Sequence, residues 1–188
     1  ARALTDHKCL KVLRAKEWAG LEHLAPVDTK NLFEDLNTKR CELLRRDLYA
    51  GAITVLRDTE HVLPITQLAA REGGRIASVV IGDSLGNPFQ RSLQRYADVK
   101  TFRCDKAMKR DSVIALLHKL EDFDHVIVSV HNTTWRVAKD FGIPETALDI
   151  VREIAAKERT ILALFANPYR LTQAYGAQNL AAVVVAYE

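Results

Sequence analysis

From residue 76 onward the chain alternates between near-continuous apolar runs and segments of helical period. Residues 76–81, 99–103, 126–130, 160–165 and 182–187 read as strands. Apolar residues fill both side-chain parities in these runs, so both faces of the sheet must be covered. Helical stretches fall between them, over 91–97, over 111–120 with Asp111 or Ser112 as cap, and from Pro144, where Ala147, Val151 and Ile154 share one stripe. A further short helix is expected over 169–175. The pattern predicts an α/β three-layer sandwich with a mostly parallel sheet of five or six strands, flavodoxin-like and doubly wound. In such folds ligands gather at the loops after the carboxyl ends of the strands. Here those loops are residues 82–89, 104–108, 131–135 and 166–169.

The first part of the chain has a different grammar. Residues 1–37 are charged and irregular, with a short amphipathic helix over 8–13 and no clear period around Pro26, Asp28 and Asn31. They read as an arm or linker, and residues 38–188 as the sandwich domain. Thr38 is a fitting N-cap for a helix in which Leu44, Leu48, Ala52 and Leu56 recur at helical spacing. Residues 71–74 form a turn. The chain opens on Ala1, its only methionine is Met108, and Glu188 stands directly behind a strand-like run. A piece of a longer polypeptide is expected from this, with a processed N-terminus as the alternative.

Composition narrows the function classes. A net charge of +3 without a block of Lys and Arg gives no reason to expect a nucleic-acid partner, and no apolar run is long enough to span a bilayer. Cys9, Cys41 and Cys104 have no C-x-x-C spacing and read as free, buried or half-buried thiols. No glycine-rich phosphate loop is present, so no nucleotide or other cofactor is expected. His118, Asp122 and His125 stand at i, i+4 and i+7, but the helix ends near Asp122. They read as solvated polar residues, and no metal is expected. Asp105, Asp122 and Asp124 offer carboxylates for a glycosidase pair, although surface acids explain them as well.

Two loops carry candidate chemistry. Gly82-Asp83-Ser84-Leu85 follows a strand and matches the first block of the GDSL serine esterases, in which a histidine activates the serine. That family places Asp-x-x-His near its end. The string found here, Asp122-Phe123-Asp124-His125, precedes the third strand and is expected at the opposite edge of the sheet from Ser84. His131-Asn132-Thr133-Thr134-Trp135 offers an imidazole, an amide, hydroxyls and an indole, a set suited to hydroxyl-rich ligands or to packing on a neighbouring domain. Asn132-Thr133-Thr134 is also a glycosylation sequon, meaningful only in a eukaryotic secreted protein.

The order of several strings resembles glycoside hydrolase family 3. Residues 11–16, 28–32 and 36–38 resemble the linker behind that family's barrel. Residues 48–58, closing at Leu63-Pro64-Ile65, resemble the entry into its second domain. Phe165-Ala166-Asn167-Pro168-Tyr169 and Val184-Val185-Ala186-Tyr187-Glu188 resemble stretches near its end. The likeness is strongest to two-domain β-N-acetylglucosaminidases of Bacteroidetes type. It implies a domain that is non-catalytic by itself and packs on a preceding (β/α)₈ barrel of the same polypeptide. Carbohydrate would bind at the domain interface, with His131, Asn132, Thr133 and Asp83 nearest the sugar. It also implies a periplasmic or secreted bacterial parent. In the β-glucosidase-like branch the acid/base is a glutamate on a loop of this domain. The comparable loop here, 131–135, has no Asp or Glu, which favours the N-acetylglucosaminidase branch. The rivals are a serine esterase using Ser84 and a free-standing interaction module.

Overall fold

A computed structural model describes residues 2–23, 26, 28–65, 74–157, 159–170 and 179–187. The chain divides into two units, Ala1–Arg46 and Asp47–Glu188.

The first unit is helical. α1 (Arg2–Trp18) runs well beyond the short helix expected over 8–13, and none of its residues is buried. Most of its residues are good helix formers, Ala, Leu, Lys, Arg and Glu, and neither Gly nor Pro interrupts it. Leu4, Leu10, Val12, Leu13 and Trp18 are all exposed. A 3₁₀ turn (Leu21–His23) and a one-turn helix α2 (Leu32–Leu36) follow, where no period was visible in the sequence. α3 (Lys39–Ala52) starts at the expected cap, with Thr38 Oγ1 accepting from Cys41 N at 3.3 Å. The helix does not reach Leu56. Ile53, Thr54 and Val55 are consecutive β-branched residues, and the chain turns there into β1 (Thr54–Asp58).

The second unit holds a six-stranded sheet. Its other strands are β2 (Ile76–Ile81), β3 (Val99–Cys104), β4 (His125–Val130), β5 (Thr160–Leu164) and β6 (Leu180–Val185). The order is β1-β6-β5-β4-β2-β3, parallel throughout except for β1, which runs antiparallel to β6. The five parallel strands thus have the flavodoxin order. β2, β4 and β5 are buried along their whole length, which is why they read as continuous apolar runs.

Side-chain alternation sorts the core into two layers. Ala77, Val79 and Ile81 of β2, Val126, Val128 and Val130 of β4 and Leu162 and Leu164 of β5 face α5 (Arg110–Leu120) and α6 (Glu145–Lys157). Ala147, Val151 and Ile154 of α6 are buried there, as their spacing predicts. On the other face Ile76, Ile127 and Ile161 pack with Val62, Leu63, Phe89 and Leu93. Phe89 and Leu93 belong to α4 (Pro88–Leu93), which starts earlier than the expected 91–97. Asn87 Oδ1 caps it by accepting from Gln90 N at 3.0 Å, and Pro88 fills its first turn.

Pro168–Arg170 forms a 3₁₀ turn where a helix over 169–175 was expected, and residues 171–175 of that expectation lie outside the described residues. Residues 71–73 of the expected turn and Glu188 do so too. Cys9 and Cys41 are exposed, not half-buried, because they sit on helices with no buried face. Cys104 is buried, and burial, reinforced by Asp105, pushes its thiol up to about 11. Among the described residues no helix is long and apolar enough to cross a membrane.

Candidate functional site

β2 and β4 lie side by side, but the chain leaves β2 toward β3 and leaves β4 toward β5. This is the topological switch point, where diverging connections open a crevice above the strand ends. The loops on its two sides are those that hold Asp83 and His131.

Gly82 opens the first loop at φ +83°. A Cβ there would lie 2.4 Å from Lys106 Cε and 3.0 Å from His131 O, so three loops converge on a point only glycine can occupy without displacement. Asp83 is next. Its Oδ1 accepts from Ser84 N at 2.7 Å and its Oδ2 from Asn87 Nδ2 at 3.0 Å. The bond from Asn87, then that from Ser84 N–H, holds the Asp83 carboxyl below its ordinary value.

Asn87 is buried and fixes the orientation of the whole cluster. Its Oδ1 is committed to Gln90 N, so its other terminal atom is the amide nitrogen. That nitrogen donates to Asp83 and faces His131 Nε2 at 3.2 Å. His131 Nε2 is therefore the acceptor, and the neutral ring carries its proton on Nδ1. The imidazole stacks on Phe165, with centroids 4.4 Å apart, and lies 6.2 Å from Phe89. Burial, assisted by Lys106 and opposed by Asp83, pushes the histidine below its usual range.

Lys106 Nζ donates to Asn132 O at 2.6 Å and Gly142 O at 2.7 Å, tying the loop after β3 to the loop after β4. Asn132 sits at φ +53°, and its Nδ2 donates to Gly82 O. Thr133 Oγ1 donates to Phe165 O at 2.9 Å. A cleft of about 460 Å³ opens over Asp83, Ser84, Arg103, Asp105 and Asn132. Arg103 bridges it, donating through Nε to Asp83 O and through Nη2 to Asp105.

A pH dependence follows. Below its unfolded value of 6.5, His131 protonates first in the unfolded chain, because its folded value is lower. Its contribution is full above that pH and declines as the pH falls through the folded value. Asp83 contributes above 3.8 and loses its share as the pH falls through its own depressed value. Urea midpoints measured from pH 8 to pH 4 should fall on acidification, and His131→Phe should flatten the upper part of that fall.

No protein-family model matches the chain, and no curated protein matches it. Solved structures do. A glycoside hydrolase family 3 β-N-acetylglucosaminidase from Paenibacillus sp. str. FPU-7 superposes with TM-score 0.60 at 15% identity, over 97% of this chain and 34% of that one. A fungal multi-domain family 3 β-N-acetylglucosaminidase gives TM-score 0.58 at 19% identity, over 86% and 17%. A family 3 exo-β-xylosidase gives 0.53 at 12% identity, over 79% and 22%. The fold is that of a sandwich domain of family 3 glycoside hydrolases. This chain spans about a third or less of the length of those enzymes.

Within this sandwich, Asp83, His131, Asn132 and Thr133 come together at the switch point. Ser84 does not gain a triad. Its Oγ lies 3.4 Å from Asp83 Oδ1, and His131 Nε2 is committed to Asn87. His125 begins β4 opposite Ile76, so the Asp-x-x-His string sits at the amino ends of the strands, across the sheet from Ser84. Asp122 and Asp124 lie there too, each 4.0 Å from the Arg75 guanidinium, whereas Asp105 lines the cleft. His118 lies 3.4 Å from Glu121, and among the described residues no three His, Cys, Asp or Glu side chains gather as a metal site. Asn87, Lys106 and Arg103 were not singled out from sequence. Asn87 had a legible signal, a capping residue directly before a proline; Lys106 and Arg103 had none beyond their place at a strand end.

Proposed function

We propose that this chain is the second, by itself non-catalytic domain of a family 3 glycoside hydrolase of β-N-acetylglucosaminidase type. Residues 1–37 serve as the arm from a preceding (β/α)₈ barrel, and residues 38–188 form the sandwich that packs on it. Loops at the switch point wall the sugar pocket, with Asp83, His131, Asn132 and Thr133 toward the substrate, in a periplasmic or secreted bacterial parent. The observation that carries the reading is the Asp83–Asn87–His131 cluster at the strand ends, in a fold that family 3 enzymes share. The cluster holds a carboxylate low and an imidazole neutral. It can therefore offer hydrogen bonds to hydroxyls or an acetamido group without presenting a proton-donating acid. Loop 131–135 supplies no carboxylate, which supports chemistry housed in the barrel.

The test is an assay on an aryl N-acetylglucosaminide. The chain alone should give no turnover, and the chain joined behind a family 3 barrel should give it. In the joined protein, Asp83→Asn with His131→Ala should raise KM by about tenfold, or about 1.4 kcal/mol, with a smaller change in kcat. Turnover by the chain alone overturns the reading. Hydrolysis of a short-chain aryl ester that disappears in Ser84→Ala would replace it with the esterase.

A further inference from the structure

Asn87 belongs to two structures at once. It caps α4, its Oδ1 accepting from the Gln90 N–H at 3.0 Å. It also joins the strand-end cluster through its amide nitrogen, which donates one hydrogen to Asp83 Oδ2 at 3.0 Å and the other to His131 Nε2 at 3.2 Å. An amide has one oxygen to accept with and one nitrogen to donate from, and here both are spent. Asn87 is 2% exposed and Gln90 is fully buried, so water is poorly placed to take over either role.

This arrangement fits one protonation state of His131. A neutral ring accepts at Nε2, whereas a protonated ring carries N–H on both nitrogens. The contact with Asn87 then becomes donor against donor. Turning the amide over presents its oxygen to the imidazolium, but sets its NH₂ against the Gln90 N–H and its oxygen against the Asp83 carboxylate. Swinging the ring away breaks its stack on Phe165, 20° from coplanar, and leaves an Asn87 hydrogen unpaired. Each escape costs a bond that holds a neighbouring element.

The charged groups that face the ring are Asp83 from the loop after β2 and Lys106 from the loop after β3. α4 brings Asn87 and Phe89 to it, and the loop after β5 brings Phe165, all uncharged. Two carbonyls, Asn132 O and Gly142 O, hold Lys106 in place, so its charge stays near the ring and opposes a second cation.

We propose that Asp83, Asn87 and His131 form a proton-operated latch: protonation of His131 expels the Asn87 amide, undoes the cap of α4 and frees residues 83–89 beside the cleft. α4 is six residues long, so its cap secures a large share of its end bonds. Burial, opposed by Asp83 and assisted by Lys106, keeps the ring titrating below 6.5. The latch is therefore shut at neutral pH and opens as the pH falls through the folded value. It goes beyond the pocket-wall reading, and its release needs no sugar.

Nitrogen-15 NMR of the full chain reads both halves of the device. At pH 8, His131 should show a bare Nε2 and a protonated Nδ1. Protection of the Gln90 amide from hydrogen exchange, corrected for intrinsic rates, should fall at least about tenfold as His131 protonates, with the same midpoint, while Leu162 in β5 stays protected. His131→Phe keeps a stacked ring and removes the proton, so Gln90 should stay protected across the range. The decisive variant exchanges two groups, Asp83→Asn with Asn87→Asp, at unchanged net charge. The carboxylate at position 87 still caps α4, accepts from the amide at position 83 and now accepts from the imidazolium. His131 should then titrate above 6.5, and acid should no longer release Gln90. If the exchanged variant does not fold, the wild type and His131→Phe decide the matter. A proton on Nε2 at pH 8 overturns the proposal. So does Gln90 protection that ignores the His131 titration or falls together with Leu162, or an exchanged variant that still titrates below 6.5. A raised KM in a barrel-joined protein bears only on the pocket-wall reading, so the two fail separately.

Discussion

Replacing Gln90 with leucine should destabilise the second unit by about 2–4 kcal/mol, more than its location in a one-and-a-half-turn helix suggests. Gln90 is fully buried. Its Nε2 donates to Ser78 O in β2 and to Phe102 O in β3, both at 3.0 Å. Its Oε1 accepts from Gly86 N at 2.8 Å. Leucine preserves volume and strands all three backbone groups in a place water reaches poorly, and each buried orphan costs about 1–3 kcal/mol. Glutamate is no remedy, since an ionised carboxylate cannot donate to two carbonyls. Gln94, whose Nε2 donates to Val99 O, is the internal comparison, and Gln94→Leu should cost about 1 kcal/mol. Chemical denaturation of the two variants measures the difference. Equal small losses would show that the Gln90 bonds are replaceable by solvent. Because the Gly86 bond shapes the loop between Asp83 and Asn87, Gln90→Leu should also move the His131 titration toward its ordinary value.

Leu162→Ala should cost about 3–5 kcal/mol, the range for emptying a leucine site that cannot collapse. Leu162 lies at the middle of β5, has no exposure, and is in register with Val128 and Val183. The sheet backbone fixes it from one side and the α5 and α6 layer from the other, so neighbouring side chains cannot close the gap without moving strands. For a domain of this size the loss corresponds to a melting point lower by about 10 °C. Leu85→Ala, at an exposed position in the loop after β2, should change stability by less than about 0.5 kcal/mol.

The strands were legible because burial on both faces leaves no polar residue to break the run, as β2, β4 and β5 show. The edge strand β1 was not. Its half-exposed pattern leaves Leu56 free to continue the spacing of Leu44, Leu48 and Ala52, and only pairing with β6 decides the matter. The start of α4 was missed because the apolar spacing outweighed the cap signal of Asn87-Pro88. The candidate site divides in the same way. Asp83 and His131 announced themselves as polar residues at strand ends. Asn87 and Lys106 act by joining loops far apart in sequence, so their roles appear only once β2, β3 and β4 lie adjacent.

The antiparallel pairing of β1 with β6 sets an order of events during synthesis. Thr54 faces Val185 and Asp58 faces Ala182, partners on the order of a hundred positions apart along the chain. Within this sheet β1 therefore leaves the ribosome ahead of its partner β6 and waits for it, with Ile53, Val55 and Leu56 exposed even in the finished fold. Throughout that interval it is an open edge that another nascent chain can zip onto. Products truncated before β6 should accordingly be prone to aggregate.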